Sequence, residues 1–201
     1  MAKTSVPGSV APGGTFDKDD ARDRAADRHS VVVGERTHRA IAEVLRIGFP
    51  AERSRAASLV VRTAHAVLGA APVEHRPRET LVEVATSAGV YLRRFVPQAP
   101  WTFEGAEVVS GRSRFDIVYH HPRHGYLVDE VKLGRTRIGE TAVREQVERY
   151  LAEGRRRWGS SFAGVRLCAL NEPLTSRFYL PSRGRSVRLF DVAPQYGLGL
   201  R

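Results

Sequence analysis

Apolar side chains recur every third or fourth position in four stretches of the chain. In six shorter stretches they alternate with polar residues or run together. The first helical stretch is 35-ERTHRAIAEVLRI-47, which puts His38, Ile41, Val44 and Leu45 on one face before Gly48 and Pro50 stop it. A second helix is predicted over 51–69, with Leu59, Val60, Ala64, Val67 and Leu68 among its apolar positions. A third over 78–96 carries Leu81, Val84, Ala88, Tyr91, Leu92 and Phe95, and a fourth over 139–157 turns Val143, Val147, Tyr150 and Leu151 inward. Strands are predicted at 101–109, 114–120, 126–133 and 163–170, then at 176–180 and 186–192 around the turn 181-PSRGR-185. The turn 121-HPRHG-125 makes the second and third strands an antiparallel hairpin.

The order is helix, three-stranded meander, helix, strand, terminal hairpin, which predicts an α/β fold with a mixed central sheet. Residues 1–30 carry few large apolar side chains and hold the charge cluster 17-DKDDARDRAADRH-29. They are expected to be a largely disordered tail, with a frayed helix near 17–28. Residues 31–72 then form an N-terminal helical annex, its 35–69 portion a candidate surface for a protein partner, and 73–201 form the main domain.

Composition narrows the function. No run of about 18 apolar residues is present, so no membrane span is expected, and no charged-then-apolar leader opens the chain. The single cysteine, Cys168, excludes an internal disulfide and any cluster needing several thiolates. A cytoplasmic setting follows as the default. The net charge of +10 favours a polyanionic partner such as nucleic acid. Lys3 and Lys18 fall in the tail, so Lys132 is the one lysine of the part expected to fold. Lysine supplies a compact point charge able to move a proton, which arginine does not.

The hairpin 111-GRSRFDIVYHHPRHGYLVDEVKLG-134 places Asp116, Asp129, Glu130 and Lys132 where a sheet ordinarily wants valine. Alternation puts Glu130 and Lys132 on one face and Asp129 on the other. Hairpin pairing brings Asp116 toward Glu130. Buried charges of one sign need compensation, and a hard divalent cation supplies it. Asp129 is expected to pair with an arginine. His120, His121 and His124 flank the turn without an ordered acidic or cysteine partner and are assigned to it rather than to zinc.

Gly111-x-x-x-x-Asp116, then Glu130-Val131-Lys132, then Gln146-x-x-x-Tyr150 on the following helix, resembles the PD-(D/E)XK nuclease superfamily and within it the RecB-like exonuclease branch. The resemblance covers about residues 79–170 and implies a restriction-endonuclease-like core. It implies a DNA nuclease using Mg²⁺ or Mn²⁺, with Asp116, Glu130 and the Val131 carbonyl on the metal. Lys132 would act on the attacking water, with Gln146 and Tyr150 bracing the site. The family often adds an acidic residue from the first helix of the core, for which Glu83 is the candidate, with Glu79 one turn earlier. Exonuclease or endonuclease action, DNA or RNA as substrate, and self-association into a homo-oligomer all stay open. A nucleic-acid-binding module with this fold and no turnover is the alternative.

Overall fold

The helix expected to begin at residue 35 begins at Phe16 and runs unbroken to Ile47 (α1). The acidic residues of 17–20 sit in its first turn, where carboxylates suit the helix dipole, and Asp20 precedes Arg24 by the four residues that favour an ion pair. Low apolar content therefore does not prevent helix formation there, and the tail expected over 1–30 is helical from 16 onward. This computed structural model describes residues 16–48, 53–69, 77–133, 141–181, 186–196 and 198, so the first half of the expected tail lies outside the described residues.

Helix α2 spans Arg53–Gly69 and α3 spans Pro77–Arg94. The meander follows as β1 (Thr102–Ser110), β2 (Ser113–His121) and β3 (Gly125–Lys132), then α4 (Thr141–Trp158), β4 (Phe162–Ala169), β5 (Arg177–Tyr179) and β6 (Ser186–Arg188). The strand expected over 186–192 ends at Arg188, and Leu189–Val192 turn into a short helix that buries Leu189. The six strands lie in the order β1-β2-β3-β4-β5-β6, with β3 and β4 parallel and every other pair antiparallel. The α/β class and the mixed sheet are therefore as the periodicities predict.

Helices cover both faces, which is why β4 is buried along its whole length and reads as a continuous apolar run. On one face α1, α2 and α3 bury Ile41, Val44, Val60, Val67, Val84 and Tyr91 in the same cluster as Ile117, Leu127 and Val131 of the sheet. The expected annex is thus a layer of the main core and not a unit apart. On the other face α4 packs Val147 and Tyr150 against Phe115, Val118, Val128 and Val165.

Two glycines allow close approaches that no side chain would. Gly125 has φ 77° and lies against the Ser161 carbonyl where a Cβ would stand. Gly154 lets the Phe162 ring lie directly on α4. Among the described residues no helix is long and apolar enough to cross a membrane.

Candidate functional site

Strands β2 and β3 pair as far as Ile117 and Asp129 and then part. Beyond that point the Val131 N–H donates to Asp116 Oδ2 at 2.8 Å, so a side chain replaces the ladder. A residue in a strand points its N–H and C=O to the same side, so the Val131 carbonyl also faces the gap that β2 has left. There it is 3.1 Å from Nε2 of His38, which reaches in from α1.

Glu130 and Lys132 leave β3 together on the α4 side. Lys132 Nζ lies 2.5 Å from Glu130 Oε1 and donates to Gln146 Oε1 at 2.9 Å. Gln146 Nε2 lies 3.3 Å from the Tyr150 hydroxyl, which in turn donates a short hydrogen bond to the Arg114 carbonyl. Gln146 and Tyr150 are one turn apart on α4, so one helix face carries both. The chain from Lys132 to Arg114 ties α4 to β2 and β3 and fixes where the ammonium sits.

The electrostatics are those of a site short of positive charge. Glu130 is 3% exposed, and its second oxygen, Oε2, is buried with no hydrogen-bond partner. Burial pushes the Glu130 carboxyl up to about 7, and the neighbouring Asp116 adds to the shift against the pull of Lys132. Burial likewise raises Asp116 to about 7, offset in part by the Val131 N–H and Lys132. Burial lowers the pKa of His38, which favours the neutral imidazole that can serve as a ligand. An unpaired, buried carboxylate oxygen costs several kcal/mol unless a cation meets it. The oxygens of Asp116, Glu130 and Val131 form the hard donor set that Mg²⁺ or Mn²⁺ takes, so the residues present fit such an ion.

The structure brings Asp116, Glu130, Val131, Lys132, Gln146 and Tyr150 together. It does not bring Glu83 to them. Glu83 is exposed on α3, where its Oε2 lies 3.1 Å from His29 Nε2 of α1, so it joins two helices away from the gap. Glu79 is likewise exposed at the start of α3.

Two residues at the site were not expected. His38 Nδ1 lies 3.7 Å from Asp116 Oδ1 and 4.0 Å from Glu107 Oε1 of β1. The three form a group whose ligand atoms all lie within 4.8 Å of one another. The sequence placed His38 on the inward face of a helix, but nothing local tied that helix to a hairpin some eighty residues later. Glu107 has φ 55°, a left-handed conformation that is uncommon for a residue with a side chain.

Asp129 points to the other face and pairs with Arg166 through two hydrogen bonds of 2.6 Å, both side chains 0% exposed. The Tyr91 hydroxyl donates to Asp129 Oδ2 at 2.5 Å. Burial alone would lower the Arg166 pKa, but the Asp129 carboxylate more than reverses this, so the pair stays ionised. At the turn, His121 Nδ1 accepts from the backbone N–H groups of Arg123 and His124 at 2.9 and 3.1 Å, which gives that ring a structural task. Set against family models, curated proteins and solved structures, the chain matches none.

Proposed function

We propose that the protein is a divalent-metal-dependent deoxyribonuclease of the PD-(D/E)XK type, built on a restriction-endonuclease-like core. The observation that carries this reading is the buried, unpartnered Oε2 of Glu130 beside Asp116, with the Lys132 ammonium on the other oxygen of the same carboxylate. Asp116, Glu130 and the Val131 carbonyl would hold Mg²⁺ or Mn²⁺, and the ion would supply positive charge for the phosphate oxygens as phosphorus becomes more crowded.

The protein's own groups set up the rest. Lys132 places an ammonium that can orient a water molecule and offset charge on the scissile phosphate. Gln146 and Tyr150 hold that ammonium against rotation. In the hydrolysis the water oxygen bonds to phosphorus, the bridging P–O bond breaks, and the water's proton ends on the departing oxygen. The net charge of +10 supports a polyanionic substrate.

The test is incubation of linear and closed circular DNA with wild type and Lys132→Ala, in Mg²⁺ or Mn²⁺, with and without EDTA. Metal-dependent cleavage that Lys132→Ala loses is expected. Equal background cleavage by both proteins would remove the enzymatic reading. DNA binding without any product would then favour the non-hydrolytic module.

A further inference from the structure

His38, Glu107 and Asp116 form a second ligand group on the far side of Asp116 from Lys132, and the oxygens holding the first ion do not exhaust it. We propose that the site takes a second divalent cation, held by His38, Glu107 and Asp116, and that this position prefers Mn²⁺ to Mg²⁺. The binding of that cation stands on the geometry alone, whereas its use in phosphodiester hydrolysis rests on the nuclease reading above.

Bonds of about 2.1 Å set octahedral ligands about 3.0 Å apart when adjacent and about 4.2 Å apart when opposite. The His38–Asp116 and His38–Glu107 separations of 3.7 and 4.0 Å fall inside that interval. The widest separation in the group, at most 4.8 Å, needs a closure of a few tenths of an ångström. Glu107 is already aimed for this. Its Oε2 is engaged by Arg114 Nε at 2.7 Å, which leaves Oε1 toward His38. The left-handed backbone at Glu107 costs roughly 1–3 kcal/mol, and the ion pair with Arg114 helps to hold it.

An independent observation points to more cation than Lys132 provides. Even with Lys132 on Oε1, Glu130 keeps a buried Oε2 without a partner beside Asp116, so the shared carboxylate between the two positions lies in a region short of positive charge. The ligand chemistry separates the two positions. Oxygen donors alone suit Mg²⁺, whereas an imidazole moves preference toward transition-metal ions such as Mn²⁺. In two-ion hydrolysis a pair of cations clamps both the attacking and the leaving oxygen.

The experiment is titration of the chelator-treated full chain with Mn²⁺, counting free aquo ion by electron paramagnetic resonance. Two ions per chain are expected for wild type, and one for Glu107→Gln, for His38→Ala and for Glu130→Gln. Mg²⁺ should displace one of the two wild-type ions at a lower concentration than the other. Wild type binding a single ion, or Glu107→Gln keeping two, overturns the proposal. A single ion lost in both His38→Ala and Glu130→Gln would mean that the two residues share it. Glu107 is partly exposed, so Glu107→Gln should keep the wild-type unfolding temperature in EDTA, and the wild-type count decides the matter even if a variant fails to fold. Two bound ions with no DNA product would leave this position standing and remove the nuclease. Cleavage with one bound ion would do the reverse.

Discussion

Replacing Asp116 with asparagine should stabilise the metal-free protein, and the pH at which it does so is set by the site. The asparagine side chain would keep an oxygen for the Val131 N–H and turn an amide toward its neighbours, so little shape is lost. The charge removed is expensive. Burial raises the Asp116 pKa from 3.8 to about 7. A carboxylate whose folded pKa is raised opposes folding once the unfolded chain has ionised, and the opposition grows until the folded form ionises too. Asp116 therefore costs nothing below about pH 4, roughly 1.5 kcal/mol at pH 5, and about 4 kcal/mol above pH 7, at 1.36 kcal/mol per unit. For a chain of 201 residues that upper figure corresponds to a rise in Tm on the order of 10 °C. The assay is thermal unfolding of both proteins at pH 5 and pH 8 in EDTA, then in Mn²⁺. Asp116→Asn should gain most at pH 8. Mn²⁺ at about a hundred times its Kd should raise wild type by roughly 2.7 kcal/mol and the variant by far less. A variant no more stable than wild type at pH 8, or a gain equal at both pH values, would show that Asp116 is already compensated and would undo the argument for a metal.

Three further outcomes follow from the same geometry. Arg166→Leu leaves Asp129 charged and enclosed, so it should cost about 3–5 kcal/mol in urea unfolding, while Asp129→Asn combined with it should recover a large part. Tyr150→Phe removes the bonds to Gln146 and to the Arg114 carbonyl; stability should fall by about 0.5–1.5 kcal/mol, and kcat should drop with KM held, because Lys132 is less well placed. Glu83→Gln should leave cleavage rates within experimental error in steady-state assays, since its partner is His29 and not the metal site; a loss of tenfold or more would place Glu83 in the chemistry after all.

The parts legible in the sequence are those set by local spacing. Glu130 and Lys132 share a face because they are two apart on a strand, and Gln146 and Tyr150 share one because they are four apart on a helix. Asp116 follows once the hairpin turn is recognised. The parts not legible depend on packing between distant segments. Glu83 satisfied every local criterion for a helical acid near the site, yet α3 docks with that side chain turned out to His29. His38 satisfied none but its place on an apolar face, and α1 lays that face over the opening between β2 and β3. Glu107 depends on a backbone conformation that no residue pattern in β1 announces. The helical start at Phe16 was missed for another reason: apolar periodicity is silent where charge spacing and propensity sustain the helix.

The adjacent acids of β3 also bear on how the sheet avoids assembling wrongly. A one-residue slip exchanges the two faces of a strand, and such a slip is normally rejected because polar side chains would enter the core. In 125-GYLVDEVK-132 that safeguard is weak, since apolar residues and one acid would still face each way. What rejects the slip is Arg166, the residue directly across β4 from Asp129 and enclosed with it. A shifted strand would strand that guanidinium against valine or glutamate on the wrong side, and would put tyrosine where Gly125 meets Ser161. The ion pair that takes no part in the chemistry thus selects the one alignment in which Glu130, rather than its neighbour, opens onto the gap.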